Sequence, residues 1–270
     1  MTAVLEASAS DAARRAGDID AVVASLPVSL RSGAAGTDLM AVDGQTGWAA
    51  VALRSIEGGA KGLIIVDPTV EDVTDLSSVA RRRNVPVVID YPFAGNPVVP
   101  VVAPYFNDRD DRHALLECTV TVRLGTNLER VLIDQLALVG ALAVQVENAT
   151  VLDWTTRRNV ISGRLADGRR FRLSEICTDA QPPMAVVRML RADGSVEVIV
   201  PNPETARPAH ATVITPDGAK SLPTLFETAH RLAWRRLARL VHDDVQASDL
   251  TRFTHDSSIV AALTGALPSR

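Results

Sequence analysis

The stretch Gly62 to Pro92, GLIIVDPTVEDVTDLSSVARRRNVPVVIDYP, decides the fold. Two unbroken apolar runs, Leu63 to Val66 and Val85 to Ile89, enclose a segment whose Val70, Val73, Leu76 and Val79 recur at helical spacing. Strands that are apolar at every position suit a parallel sheet covered on both faces, because neither face meets water. Thr69 is placed to cap the helix. Glu71 and Asp72 fall in its first turn and Arg81, Arg82 and Arg83 at its end, where each sign of charge suits the helix dipole. Strand, helix and strand in this order predict a right-handed βαβ unit. Toward the N-terminus, Leu39 to Val42 and Ile19 to Leu26 read as two more buried strands. Thr46 can cap a helix whose Trp48, Val51, Ala52 and Ile56 share one face and which Gly58-Gly59 ends.

Toward the C-terminus the pattern changes. Tyr91-Pro-Phe-Ala-Gly-Asn-Pro97 interrupts it, and the boundary is expected near residues 97–112, with a first part at 1–105 and a second at 106–270. Glu117 to Leu124 alternates: Cys118, Val120, Val122 and Leu124 are expected to face a core, as on a half-buried strand. A capping box of Thr126 and Glu129 then opens a helix with Leu128, Val131, Leu132, Leu136, Val139 and Leu142 on its apolar face. Strand candidates follow at Val160 to Leu165, Phe171 to Cys177, Met184 to Leu190, Val196 to Val200 and Ala211 to Ile214, with Asp167-Gly168, Asp193-Gly194 and Asp217-Gly218 as turns. A second capping box, Thr224 with Glu227, is expected to open a long helix through Val241, and a short one around Ser257 to Leu263 to end the chain. The class is α/β: a parallel sheet, then an α+β part with a largely antiparallel open sheet.

Bulk properties narrow the function classes. With 47% hydrophobic and 22% charged residues the chain can bury a substantial core. A formal net charge of −4 argues against nucleic-acid binding, which needs a basic footprint. The longest apolar run, Leu136 to Val144, is about half of the ~18 residues that suggest a membrane span. The N-terminus has no basic start, and Glu6 interrupts it early, so no signal peptide is expected. Cys118 and Cys177 imply neither a disulfide framework nor a zinc site, and a cytoplasmic location is expected.

Several segments, in order, resemble the glucose–fructose oxidoreductase / inositol dehydrogenase (Gfo/Idh/MocA) family. They are ALRSIEGGAKGLIIVD (Ala52 to Asp67), VVIDYPFA (Val87 to Ala94), the helix Asn127 to Gly140, GRLADGRRFRLSEICTDA (Gly163 to Ala180) and LRADGSVEVIVP (Leu190 to Pro201). The resemblance implies a Rossmann domain followed by an α/β domain with an open sheet, NAD or NADP as cofactor, a sugar or polyol substrate, and association of copies through the open sheet. The departures concern chemistry. No Gly-x-Gly-x-x-Gly exists, and Gly33 and Gly36 have neither its spacing nor a clear helix after them. The first part is also short by roughly one βαβ unit of ~30 residues. Asp90-Tyr91-Pro92 stands at the family's Glu-Lys-Pro. Thr126 and Arg130 stand at its Asp and His acid/base pair, and an arginine stays protonated and cannot act as a base.

The candidate positions are therefore Tyr91, Asp90 and Arg130 for chemistry, and Asp43, Asp67 and Thr126 for a ligand. Asp43, Asp67 and Asp90 follow or close parallel strands, where ligands of open α/β sheets bind. Three carboxylates there could hold a hard cation, but turn and cap chemistry is the simpler explanation, and no metal is expected. Tyr91 could donate a proton, or merely pack its ring and wet its hydroxyl. His113, His210, His230, His242 and His255 are scattered; His230 and Trp234, one helical turn apart, read as a surface stacking pair. Ser29, Ser32 and Ser78 show no nucleophile elbow. Two functions stay open. One is an oxidoreductase-like protein without the cofactor loop, binding a small ligand or assembling with itself or with a complete relative. The other is an NAD(P)-dependent oxidoreductase with an atypical or partner-completed site. Glu197, Ile199 and Arg188 would lie on the free sheet face of a homodimer.

Overall fold

The structure, a computed structural model, describes residues 4–33, 38–107, 111–205 and 207–266. It divides into two compact units, residues 1–95 with 228–257, and 96–227 with 258–270.

In the first unit the order is β1 (Leu5–Ala9), α1 (Asp11–Ala16), α2 (Ile19–Ala24), β2 (Leu30–Ser32), β3 (Leu39–Asp43), α3 (Trp48–Glu57), β4 (Gly62–Val66), α4 (Thr74–Arg83) and β5 (Val87–Asp90). The five strands form one parallel sheet in the order β2-β1-β3-β4-β5. β4 is buried at every position, as its unbroken apolar run predicts. The expected strand at Ile19 to Leu26 is instead the helix α2. Ile19, Val22 and Val23 are its buried residues, at helical and not alternating spacing, and the buried Leu26 follows its end. The first strand is the less apolar Leu5–Ala9. Thr69 does not cap α4. Its hydroxyl and its N–H both donate to the Gly44 carbonyl, at 3.0 and 2.7 Å, and Asp72 accepts from the Thr74 N–H at 2.9 Å instead. Glu71 reaches back to α3 and accepts from the Gly47 and Ala49 N–H groups, so a residue from the next loop caps that helix.

The C-terminal helices are α7 (Ala229–His242) and α8 (Asp249–Gly265), and α7 returns to the first unit. It opens on Thr228, whose hydroxyl accepts from the Arg231 N–H at 3.2 Å; the expected capping box at Thr224 and Glu227 precedes the helix. Ala233, Trp234, Leu237 and Ala238 pack with α1, α2 and alternate strand residues Leu5, Ala7, Leu39, Ala41, Ile64, Val66 and Val88 in one core. Gly62 permits this approach: a Cβ there would lie 2.8 Å from Val241 and 2.9 Å from Leu237. The other face of β3 and β4 is covered by α3. On α8, Asp249 accepts from the Ile89 N–H at 3.0 Å and pairs with Arg236, which occupies a backbone donor on the edge strand.

The second unit holds α5 (Val98–Phe106), β6 (Leu115–Val122), α6 (Leu128–Leu142), β7 (Val146–Trp154), β8 (Arg158–Leu165), β9 (Arg170–Cys177), β10 (Met184–Leu190), β11 (Ser195–Pro201), β12 (His210–Thr215) and β13 (Gly218–Ser221). Its eight strands run in the order β13-β12-β11-β10-β6-β9-β8-β7, antiparallel except for β6 with β9. α5 and α6 pack together on the sheet. α5 was hidden in the sequence by its prolines, yet Pro97 sits at the N-cap and Asn96 accepts from the Val98 N–H at 3.0 Å. Its last carbonyls, on Tyr105 and Phe106, accept from Arg191 at 2.6 Å and from the buried Arg169 at 2.7 Å. The N-cap of α6 is Asn127, which accepts from the Glu129 N–H at 2.9 Å; Thr126, expected in that place, donates to the Arg123 carbonyl.

Both free cysteines are buried, and burial pushes the Cys118 thiol up to about 12. Beside it, Glu175 on β9 is fully buried. Its Oε2 accepts from Asn159 Nδ2 at 2.5 Å, while Glu175 Oε1 and Asn159 Oδ1 have no partner among the described residues. Burial holds this carboxyl well above its ordinary 4.5, against the opposing Asn159 hydrogen bond. A protonated acid supplies the one donor that the two free oxygens lack. On α8, burial likewise raises Asp256 from 3.8 to about 7, against Arg252.

A raised carboxyl pKa means that the folded state binds more protons. Stability is therefore greatest below the unfolded values and falls as pH rises toward the folded ones. Denaturant unfolding should show stability falling above pH 4, by up to about 1.4 kcal/mol per pH unit for each group. Glu175→Gln, which keeps the shape without the proton, should flatten the Glu175 part of that fall. An unchanged slope would show that Glu175 ionises without cost.

Candidate functional site

The loops at the C-terminal ends of the parallel strands lie close together in the first unit. Gly44 follows β3, and a Cβ there would meet the Pro68 Cα at 2.4 Å and the Val66 carbonyl at 2.5 Å, so only glycine fits. Asp67, after β4, takes a left-handed backbone with φ of 46°, and its N–H donates to the Asp90 carbonyl at 3.0 Å. Asp90 closes β5 at 1% exposure.

Opposite Asp90 stands His230, in the first turn of α7. It is 4% exposed, and its Nδ1 lies 2.7 Å from Asp90 Oδ2. Burial opposes a charged imidazolium. The Asp90 carboxylate outweighs this by charge and by hydrogen bond, Asp18 and Asp67 add to it, and the imidazole is held above its ordinary 6.5. Among the described residues Asp90 Oδ1 has no hydrogen-bond partner. The pair is a histidine fixed in orientation by a buried carboxylate, an arrangement suited to holding or transferring a proton.

Of the candidate positions, the structure thus brings Asp67 and Asp90 together with His230 and Asp18. Asp43 ends β3 in register with Val66, which pairs with Asp90, so Asp43 and Asp90 stand two strands apart. Tyr91 follows Asp90, is buried, and its carbonyl accepts from the Gly95 N–H at 3.1 Å. Thr126 and Arg130 belong to the second unit, at the start of α6. Among the described residues no group of three His, Cys, Asp or Glu side chains could hold a metal ion. His230 is the residue that sequence reasoning missed. Both it and Trp234 are buried, so they are not a surface stacking pair. The available signal was position: His230 lies beside Ala229 and one turn before Ala233 and Trp234, on the buried side of α7.

The turn between β1 and α1 is where a Rossmann sheet holds a dinucleotide pyrophosphate, on the N–H groups opening the first helix. Here Ser10 occupies that turn, and its hydroxyl accepts from the Ala13 N–H at 3.2 Å. Asp11 puts a carboxylate in the first turn of a helix of only 6 residues. The nearest glycine in this segment is Gly17, beyond the end of α1. A bound phosphate would meet a like charge and an N–H already in use, so these residues do not fit the group.

No protein-family model matches the chain. Solved structures do. A UDP-N-acetylglucosamine 3-dehydrogenase, GnnA from Acidithiobacillus ferrooxidans, matches with a TM-score of 0.71 and 13% identity over 98% of both chains. An oxidoreductase from Agrobacterium radiobacter, in complex with NAD+, L-tartaric acid and magnesium, matches at 0.72 and 9% identity, over 98% of this chain and 96% of that one. The 3-ketoreductase KijD10 from Actinomadura kijaniata, in complex with NADP, matches at 0.68 and 15% identity, over 97% and 88%. At these identities the likeness shows a shared fold: a parallel sheet followed by a mostly antiparallel one, as in these oxidoreductases.

The raised His230 pKa stabilises the fold fully below the unfolded value of 6.5, and that contribution is lost as pH rises through the folded value. In Asp90→Asn, the imidazole should titrate lower than in the parent, read from its ring nitrogens by NMR. His230→Gln leaves Asp90 buried without its cation and should cost about 3 kcal/mol in denaturant unfolding. A His230 pKa unchanged by Asp90→Asn would show that the pair is not electrostatically coupled.

Proposed function

We propose that this chain is an oxidoreductase-fold protein that does not use a dinucleotide and serves as a small-ligand-binding or assembly protein. The observation that carries this reading is the β1–α1 turn, where Ser10 and Asp11 stand in place of a glycine loop. The replacements at the family-like positions point the same way. Tyr91 stands for a lysine, and Thr126 and Arg130 for an acid/base pair. A second reading is an NAD(P)-dependent oxidoreductase acting on a sugar or polyol, with an atypical or partner-completed cofactor site. It is favoured by the buried His230–Asp90 pair, which could move a proton, and by the redox enzymes that share the fold.

Assembly has its own support on the free face of the second sheet. Strand register places Arg172, Glu117, Arg188 and Glu197 side by side across β9, β6, β10 and β11, a row of alternating charge. Leu190 and Ile214 lie in the next row, exposed at 40% and 48%. The row is self-complementary. A two-fold axis parallel to the strands, between β6 and β10, would set Arg172 against Glu197 of a second copy and Glu117 against its Arg188. Mixed surfaces of this kind serve as interfaces, and a homodimer through this face is part of the proposal, with a complete oxidoreductase relative as the other partner.

Titration with NADH and NADPH, followed by nucleotide fluorescence or binding heat, should show no binding at millimolar nucleotide. Micromolar binding would overturn the first reading in favour of the second. Light scattering should give a dimer. Arg188→Glu sets like charges against Glu117 of the second copy and should weaken association at least about tenfold. The swap Glu117→Arg with Arg188→Glu should restore it. A monomer at all concentrations would remove the assembly role.

A further inference from the structure

The second unit carries a basic cleft of about 460 Å³, lined by Arg112, His113, Arg164, Asp167, Gly168 and Arg170. It sits where the segment before β6 meets the β8–β9 turn, in a protein whose net charge is −4. Among the described residues, the acids near it are already engaged. Asp167 is paired with the buried Arg169, at 2.6 Å. Asp111 spends its two oxygens on the backbone N–H groups of His113 and Ala192, at 2.8 and 3.3 Å. The arginines are not engaged in this way. Arg112 and Arg170 make no ion pair among the described residues, and Arg164 only donates to the Gly168 carbonyl at 3.1 Å. Arg164 and Arg170 are also directly opposed across β8 and β9. Like charges in that position destabilise a sheet, and an anion between them would relieve the repulsion. Asp167 is held by Arg169, which donates to its Oδ2 at 2.8 Å and also holds the end of α5.

We propose that this cleft binds a compact dianion, a phosphate group or the carboxylates of a small polycarboxylic acid, between Arg112, Arg164 and Arg170. Guanidinium groups match both chemistries, since each offers paired donors to two oxygens. The volume leaves room for a small organic body attached to the charged group. This site is independent of the dinucleotide question, because it uses residues of the second unit alone.

The test uses the intact protein with inorganic phosphate and with citrate as separate probes, and sodium chloride at matched ionic strength as control. Calorimetric titration should give a millimolar or tighter dissociation constant for at least one probe. At 20-fold excess over that constant the melting temperature should rise by about 3 °C beyond the salt control. A stronger response to phosphate would identify a phosphorylated ligand, and one to citrate a polycarboxylate; either supports the site. Arg170→Gln should melt higher than the parent without anion, because the opposed charges are gone, and should bind at least tenfold more weakly. The double change Arg164→Gln with Arg170→Gln should abolish the response. Overturning results would be no response beyond salt, an undiminished response in the double variant, or a response that vanishes when the protein is diluted below its dimer dissociation. The last would assign the arginines to a contact between copies.

Discussion

The first sheet depends on α7, a helix that arrives after the chain has built a second sheet. β4 is apolar on both faces, and α3 covers only one. Without α7, Ile64, Val66 and Val88 would lose Trp234 and Leu237 from the core that they share. Burial of that area, at about 25 cal/mol per Å² of apolar surface, is what draws the chain back. Gly62 sets how closely the helix lies, and Asp249 with Arg236 fastens the chain beyond it to the edge strand.

That return also makes the candidate site. A helix bringing only apolar residues would leave Asp90 as a buried carboxylate with no counter-charge, a costly state. His230, at the start of the same helix, meets it at 2.7 Å. Packing and chemistry are thus coupled in one element. The second unit solves its own buried-acid problem differently: Glu175 faces an amide, and neutrality replaces ion pairing. The two carboxyls sit in similarly dry surroundings and are settled by different partners, one an imidazole and one an amide.

The architecture shared with solved oxidoreductases describes a scaffold, and the β1–α1 turn of this chain carries Ser10 and Asp11. A pyrophosphate is held by backbone N–H groups that side chains must leave free. Ser10 takes one of them, and Asp11 adds negative charge. In the second unit, arginines gather at the cleft and alternate with glutamates along the free sheet face.

The sequence alone determined the elements whose pattern is local. Continuous apolar runs gave β3, β4 and β5, alternation gave β6 as far as Val122 but not the exposed Leu124, and the Asp-Gly turns bounded β8 to β12, because side-chain period and turn chemistry are written in neighbouring residues. It misread Ile19 to Leu26, since a short apolar run satisfies strand and helix patterns alike, and it passed over α5 because prolines at a helix start look like breakers. Caps were also misplaced. Glu71 serves a helix that precedes it, and Thr69 bonds a distant glycine, contacts that no local spacing encodes. The site was half legible: Asp67 and Asp90 could be placed at strand ends by periodicity. His230 could not, because its partner lies 140 residues away and only the packing of α7 on the sheet brings the two together.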